Sequence, residues 1–223
     1  MEARLTQINR RETLQYLRYH GELLPEPISR DLDRCEAAVM AAARPRAVWR
    51  LFPLTEDGQL GGTRYVPEGE SIRELLASCH AVVLFAATLG SEMDAAIRRA
   101  QHQNLGDAVI LDAASSAAIE NVCDNLCADL AEELAPEYLT DRFSPGYGDF
   151  PLSQQQAFFR LLDISRRIGV SLTESGLMVP QKTVTALIGV SSQPQPKRHR
   201  GCAYCNLYDD CAYRREGKRC GQY

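Results

Sequence analysis

The sequence has no long hydrophobic run and no excess of positive charge. Its longest apolar run, Ala81 to Ala87, is far shorter than the roughly 20 apolar residues that a membrane-spanning helix needs. The N-terminal residues lack the apolar core of a secretory signal peptide. The formal net charge is −4, so nucleic-acid binding has no general electrostatic support. We therefore expect a cytoplasmic protein with neither a membrane nor a nucleic-acid partner.

Histidine is also scarce, and no internal repeat is visible. The sequence has 4 histidines, at positions 20, 80, 102 and 199, and their surroundings indicate ordinary surface or core side chains. The chain has 223 residues, of which 45% are hydrophobic and 24% charged, which is typical of a globular protein of one or two domains. We nominate no catalytic residue.

Hydrophobic periodicity and turn residues predict a mixed α+β domain. Capping boxes, Ser or Thr followed three residues later by an acid or amide, predict helix starts at Ser71, Ser91 and Ser153. The predicted helices are 9–20, 30–43, one opened at Ser71, one from Ser91 to 103, 107–134 and 154–168. The predicted strands are 47–52, a hairpin partner at 63–66, a buried strand at 80–87, 171–173 and 183–190. The simplest arrangement is one domain over 1–192, followed by a linker and a cysteine-rich module over 193–223.

Four cysteines close the chain at spacings typical of metal ligands. Cys202, Cys205, Cys211 and Cys220 follow a Pro-rich, basic segment that reads as a tether. Thiolates are soft ligands that suit zinc or an iron–sulfur cluster, and a reducing compartment disfavours disulfides. The open alternatives are disulfides and four unrelated thiols. We expect one metal centre, with iron–sulfur slightly preferred over zinc. The other four, Cys35, Cys79, Cys123 and Cys127, are expected to pack in the core.

The segment Arg142-Phe-Ser-Pro-Gly-Tyr-Gly-Asp149 is unusual for a connecting loop. Pro145 and Gly146 predict a turn, and the glycines on either side of Tyr147 allow the backbone to approach a ligand. Arg142 offers a guanidinium fork that matches a carboxylate. A zwitterionic small molecule with an aromatic group suits this set. The alternative is a structural loop whose arginine pairs with a local acid.

This segment resembles the Arg-x-x-Pro-Gly-Tyr signature of the activation domain of cobalamin-dependent methionine synthase. The similarity continues through Leu161-Leu162-Asp163 and Ile168-Gly-Val-x-Leu172-Thr-Glu-Ser175. It extends to Met178-x-Pro180 and Val184-Thr-Ala. The resemblance is specific over about 107–191 and looser over 30–106. It implies the α+β fold of that family, with a mainly antiparallel sheet and long helices.

The resemblance implies that this chain binds S-adenosylmethionine. In the family, the domain docks over a cobalamin that has slipped to cob(II)alamin; an electron donor reduces it, and S-adenosylmethionine supplies the methyl group. Arg142 would then hold the methionyl carboxylate, with Ser144, Gly146 and Tyr147 shaping the ligand site. Asp124 stands where the family has an acid, and Glu120, one helical turn earlier, is a second candidate.

This chain departs from the family in two respects. It contains no homocysteine-, folate- or cobalamin-binding module, so the resemblance implies action on a separate cobalamin-carrying methionine synthase. The four-cysteine tail stands where the family continues with further ligand contacts, and it could hold the cluster that delivers the electron. Two alternative functions stay open: a metal-containing protein that senses S-adenosylmethionine without turnover, and an activator of another corrinoid protein.

Overall fold

The computed structural model describes residues 3–19, 21, 23–195 and 215. The tail predicted to bind metal, with Cys202, Cys205, Cys211 and Cys220, lies outside these residues. Most of the predicted 193–223 module also lies outside the described residues. The domain boundary at 192 stays a prediction.

The described chain contains both helices and strands. The helices are α1 (Arg10–Tyr16), α2 (Glu26–Ala42), α3 (Glu70–Leu76), α4 (Ser91–Gln103), α5 (Leu105–Glu133), α6 (Gln155–Leu162) and α7 (Ile164–Ile168). A 3₁₀ turn at Leu152–Gln154 leads into α6. The strands are β1 (Arg46–Pro53), β2 (Ala81–Thr88), β3 (Tyr138–Leu139), β4 (Ser171–Leu172), β5 (Met178–Val179) and β6 (Thr183–Ser191).

Four strands form the main sheet in the order β1-β2-β6-β3, and β4 and β5 form a separate pair. Strands β3 and β6 are antiparallel, with Tyr138 opposite Ser191 and Leu139 opposite Val190. Strands β4 and β5 are also antiparallel. Every residue of β2 is buried, which agrees with the continuous apolar run that predicted it. The expected α+β fold with long helices is confirmed.

Contacts divide the chain into two compact units, each built from separate segments. Unit 1 comprises Met1–Val48, Ala86–Leu130 and Asp163–Val184, and unit 2 comprises Trp49–Phe85, Ala131–Leu162 and the chain from Thr185 onward. In unit 1 the N-terminal segment is held by polar contacts: Asn121 accepts from the Thr6 N–H at 3.1 Å, and Arg4 pairs with Asp129. Unit 2 contains the predicted ligand loop at residues 142–149.

The three predicted capping boxes are wrong. Ser153 lies inside the 3₁₀ turn before α6, whose N-cap is Pro151 without a side-chain hydrogen bond. Helix α3 has Gly69 as its N-cap and α4 has Gly90, and neither start has a side-chain cap of its own. Ser71 and Ser91 lie inside the helices instead. Both glycines have positive φ, 117° and 85°, a conformation that glycine adopts without a Cβ clash. The chain therefore turns into each helix at a glycine, one or two residues before the predicted serine.

The predicted helix over 154–168 is two helices. Asp163 has φ 52°, in the left-handed region, and it separates α6 from α7. The end of α7 at Gly169, also left-handed, agrees with the prediction. The predicted hairpin partner at 63–66 is an irregular segment rather than a strand. The carbonyl of Tyr65 within it accepts from the Leu60 N–H at 2.9 Å.

Candidate functional site

Strand β6 fixes the start of the predicted ligand loop within unit 2. The Phe143 N–H donates to the carbonyl of Leu187, and the Leu187 N–H donates back to Phe143, both at 2.9 Å. Three residues earlier, the Thr140 N–H donates to Gly189 at 3.0 Å, and the Gly189 N–H donates to the Thr140 hydroxyl at 2.8 Å. Arg142 and Ser144 stand on either side of Phe143, so both are positioned by this bridge.

The loop folds back on itself through three backbone hydrogen bonds. The Tyr147 N–H donates to Ser144 at 3.2 Å, the Phe150 N–H to Tyr147 at 3.0 Å, and the Gly146 N–H to Phe150 at 2.8 Å. Gly146 and Gly148 have φ 95° and 52°, which these tight turns require. The N–H of Gly146 is thus engaged within the loop, so Gly146 contributes shape to a ligand site rather than a donor.

The side chains of Arg142, Ser144 and Tyr147 differ in their exposure to solvent. Tyr147 is 62% exposed, which leaves its ring and hydroxyl accessible, while Arg142 and Ser144 are half-buried. Pro145 is buried and anchors the turn. A fixed guanidinium, an accessible aromatic ring and a hydroxyl together suit an organic carboxylate that also carries an aromatic group.

A row of aromatic rings supports the loop from below. The ring centroids of Phe143 and Phe150 are 6.3 Å apart, and Phe150 lies 6.3 Å from Phe158 of α6. Phe158 in turn meets Tyr65 edge to face at 6.4 Å. Phe150 and Phe158 are almost completely buried. The loop is therefore packed on a hydrophobic base rather than projecting free into solvent.

Asp149 ends the loop and caps helix α3. Its carboxylate accepts from the Glu70 N–H at 2.5 Å and from the Ser71 N–H at 3.2 Å, which supplies the cap that the start of α3 lacks. A Cβ at Gly69 would lie 3.0 Å from the Asp149 carbonyl oxygen, so the approach requires glycine. Hydrogen bonds from the Ser71 hydroxyl and the Glu70 N–H hold the pKa of Asp149 below its ordinary value. No local sequence pattern indicates this role, because the partner helix lies 79 residues earlier.

The two predicted helix acids belong to the other unit. Glu120 and Asp124 lie on α5, within unit 1, where Glu120 is half-buried and Asp124 exposed. Their neighbours Asn121 and Asn125 hold the N-terminal segment, with the Asn125 amide donating to the carbonyl of Arg4 at 3.1 Å. The loop and the acids are thus placed by different sets of contacts, and the role of the acids toward a ligand stays a prediction.

The described residues contain no group of three or more His, Cys, Asp or Glu side chains placed to hold a metal ion. Cys35 and Cys123 are buried as expected, while Cys79 and Cys127 are only partly buried. Burial raises the pKa of Cys35 to about 11, so this thiol stays protonated at neutral pH. The metal centre predicted for the tail concerns residues outside the described part of the chain. None of the described helices combines the length and the apolar character needed to cross a bilayer.

Comparison with known proteins relates this chain to one family. The family model described as "Vitamin B12 dependent methionine synthase, activation domain" matches residues 77–199, more than half of the chain. A crystal structure of the MetH reactivation domain bound to AdoHcy is similar in fold, with a TM-score of 0.60 and 16% sequence identity. The similarity covers 95% of this chain and 82% of that one. No curated protein matches the chain.

The Asp149 cap predicts a pH-dependent contribution to stability. Because the pKa of this carboxyl is lowered by folding, its contribution is complete above the ordinary aspartate pKa of about 4 and is lost as the pH falls through the lower, folded-state pKa. The Asp149→Ala variant should therefore unfold at a lower urea concentration than wild type at pH 7, and the difference should shrink toward pH 2.

The exposed turn residue Asp57 provides the control, since the Asp57→Ala change removes a carboxylate of the same unit with no helix start to cap. Urea titrations at several pH values compare the three proteins. A midpoint difference between wild type and Asp149→Ala that is the same at every pH contradicts the assignment.

Proposed function

Because this chain belongs to the family of vitamin B12 dependent methionine synthase activation domains, we propose that it binds S-adenosylmethionine and supports the reductive remethylation of a cobalamin. In this proposal the cobalamin is that of a separate methionine synthase, the kind of protein whose activation domain the family model describes. S-adenosylhomocysteine, the AdoHcy of the related crystal structure, is the product that remains when the methyl group leaves.

The observation that carries the proposal is the fixed loop from Arg142 to Asp149. Its start is bonded to β6, its interior is closed by its own hydrogen bonds, and its end caps α3. A ligand site held on both sides in this way positions a substrate at low entropic cost. Arg142 and Tyr147 are the two side chains that recognise the ligand, and Ser144 and Gly146 shape the turn between them.

S-adenosylmethionine fits the chemistry of this loop. Its methionyl carboxylate matches the Arg142 guanidinium, and its adenine can pack against the exposed ring of Tyr147. Its sulfonium carries a positive charge that a carboxylate favours at short range. We assign that carboxylate to Asp124, or to Glu120 one turn earlier on α5.

The reaction proposed for the partner consists of one electron transfer and one methyl transfer. An electron donor reduces cob(II)alamin by one electron, and the reduced cobalt then attacks the sulfonium methyl. The new bond joins cobalt to carbon, and the carbon–sulfur bond breaks with its electron pair staying on sulfur. The task of this chain is to bind and aim the methyl donor, because the reactive group belongs to the ligand.

The tail cysteines would supply the electron route. Cys202, Cys205, Cys211 and Cys220 suit an iron–sulfur cluster, with zinc as the alternative metal. Thiolate sulfur binds both iron and zinc. Of the two centres, only the iron–sulfur cluster is redox-active. In this proposal the chain combines a methyl-donor site with an electron relay.

Arg142 is expected to account for much of the ligand affinity. The Arg142→Ala change should weaken S-adenosylmethionine binding by about 1.5–3 kcal/mol, because a charge-assisted hydrogen bond is lost. Titration calorimetry measures the affinity. Arg73→Ala is the matched control, since Arg73 is an exposed arginine of α3 in the same unit. Equal affinity in wild type and Arg142→Ala would remove the loop from consideration.

The helix acids should discriminate between methyl donor and product. Asp124→Asn or Glu120→Gln should weaken S-adenosylmethionine more than S-adenosylhomocysteine, because only the donor carries the sulfonium charge. The ratio of the two affinities, measured by calorimetry, reports this effect separately from any general loss of fit. An equal loss for both ligands in both variants indicates a structural carboxylate.

A reconstituted activation assay tests the whole function. The chain is mixed with a cob(II)alamin-loaded methionine synthase, S-adenosylmethionine and an electron donor, and the conversion to methylcobalamin is followed by absorbance. We expect conversion that needs every component. Tight S-adenosylmethionine binding with no conversion on any corrinoid protein tried would favour a sensing role instead.

The tail is tested in the same assay. Protein purified without air should contain iron and sulfide, and replacing any of the four tail cysteines with Ser should lower both. These variants should bind S-adenosylmethionine normally, fail to activate with the protein electron donor, and recover when a chemical reductant of low potential is supplied. Cys127→Ser is the control, as a thiol of α5 outside the tail. Full metal content in every tail variant contradicts the assignment.

A further inference from the structure

Unit 2 contains a groove that the proposed function does not use. Its volume is about 380 Å³, and it lies between the irregular segment 64–68 and the start of α6. Its lining consists of Arg64, Tyr65, Val66, Glu68, Ser153, Gln154, Gln156, Ala157 and Arg160, all of which belong to unit 2. None of the loop residues 142–149 lines it.

Two buried polar atoms without a partner belong to residues that line the groove. The hydroxyl of Tyr65 and the Oε1 atom of Gln154 are inaccessible to solvent and form no hydrogen bond within the described residues. A buried polar atom without a partner is costly, so such atoms in native proteins are completed by water or ligand. Half of the four such atoms found in the described part of the chain thus line this one groove.

Both side chains are held in place by the structure around them. The Tyr65 N–H donates to the Thr63 hydroxyl at 3.0 Å, and the Tyr65 ring meets Phe158 edge to face. The Gln154 N–H donates to the carbonyl of Pro151 at 3.0 Å. Burial, and then the nearby Glu68 carboxylate, raises the pKa of Tyr65, so its hydroxyl stays a hydrogen-bond donor at neutral pH.

The charges of the groove favour an anionic ligand with hydroxyl groups. Arg64 and Arg160 are exposed, and neither forms an ion pair with another described residue. Two guanidiniums, with the hydroxyls of Tyr65 and Ser153, provide more donors than a single carboxylate needs, and arginine matches phosphate oxygens well. Glu68 and the Gln154 oxygen are hydrogen-bond acceptors. They disfavour the binding of a ligand that consists only of anionic groups, and they can accept hydrogen bonds from the hydroxyls of a sugar.

The volume supports an organic ligand rather than a free ion. Small-molecule pockets occupy about 300–1,000 Å³, and this groove lies at the lower end of that range. Val66 and Ala157 add apolar surface to the lining. We propose that the groove binds a sugar phosphate of up to mononucleotide size, with the phosphate at Arg64 and Arg160 and the sugar hydroxyls at Glu68 and Gln154.

Binding to the full chain tests this proposal. Ribose 5-phosphate and uridine 5′-monophosphate are titrated beside ribose, uridine and inorganic phosphate, and uridine compounds are chosen because they lack the adenine of S-adenosylmethionine. At least one sugar phosphate should bind roughly tenfold or more tightly than its unphosphorylated counterpart and than inorganic phosphate, the scale of charge-assisted hydrogen bonds. Saturating S-adenosylmethionine should leave that affinity unchanged.

Three variants locate the site. Arg64→Gln and Arg160→Gln should each lower the affinity about tenfold, and Tyr65→Phe, which removes only the hydroxyl, about fivefold. Arg73→Gln is the control, and circular dichroism confirms that each variant folds. The proposal is overturned if neither sugar phosphate binds, if inorganic phosphate binds as tightly, if the three variants bind like wild type, or if S-adenosylmethionine displaces the ligand.

Discussion

The candidate ligand loop depends on one backbone attachment, the bridge between Phe143 and Leu187 of β6. The residues of β6 from Ala186 to Val190 are almost completely buried, so the strand gives the loop a rigid edge to bond to. Phe143 commits its N–H and its carbonyl to this bridge, and Arg142 and Ser144 are consequently held at either side. A loop without this attachment would lose conformational entropy on binding a ligand, which reduces affinity.

Aromatic packing extends the same rigidity through unit 2. Phe143, Phe150, Phe158 and Tyr65 lie in successive contact, each pair of ring centroids between 6.3 and 6.4 Å apart. The first ring belongs to the β6 bridge and the last lines the groove next to α6. One buried row therefore supports both candidate sites of this unit, while neither site shares a lining residue with the other.

Local patterns predicted the elements well and the cap partners poorly. The buried strand β2 and the long helix α5 follow from apolar runs and periodicity that do not depend on distant residues. The start of α3 does depend on one, because Asp149 supplies the cap from 79 residues away. The spacing of Ser71 therefore predicted a capping box at α3, although Gly69 is the N-cap and the distant Asp149 carboxylate accepts the hydrogen bonds of the first turn.

The candidate ligand loop could also be predicted from a local pattern, whereas its surroundings could not. The signature around Arg142 and Tyr147 is contiguous, so the sequence identified it directly, and the structure places both residues on one fixed loop. The aromatic support and the groove at Arg64 and Arg160 were not predicted, because their members come from segments that only the fold brings together. Two exposed arginines far apart in sequence carry no motif.

The proposed methyl transfer also explains why the loop alone is an incomplete site. Donor and product share the methionyl carboxylate and the adenosine, so in the proposed function Arg142 and Tyr147 would recognise groups that both molecules carry. Only the sulfonium charge separates them, and it disappears when the methyl group leaves. A carboxylate close to that charge would stabilise the bound donor, and this attraction would be absent in the complex with the product. The proposed division between a loop that supplies affinity and a carboxylate that supplies discrimination therefore follows from the chemistry of the ligand pair, and it would make product release a consequence of the reaction itself.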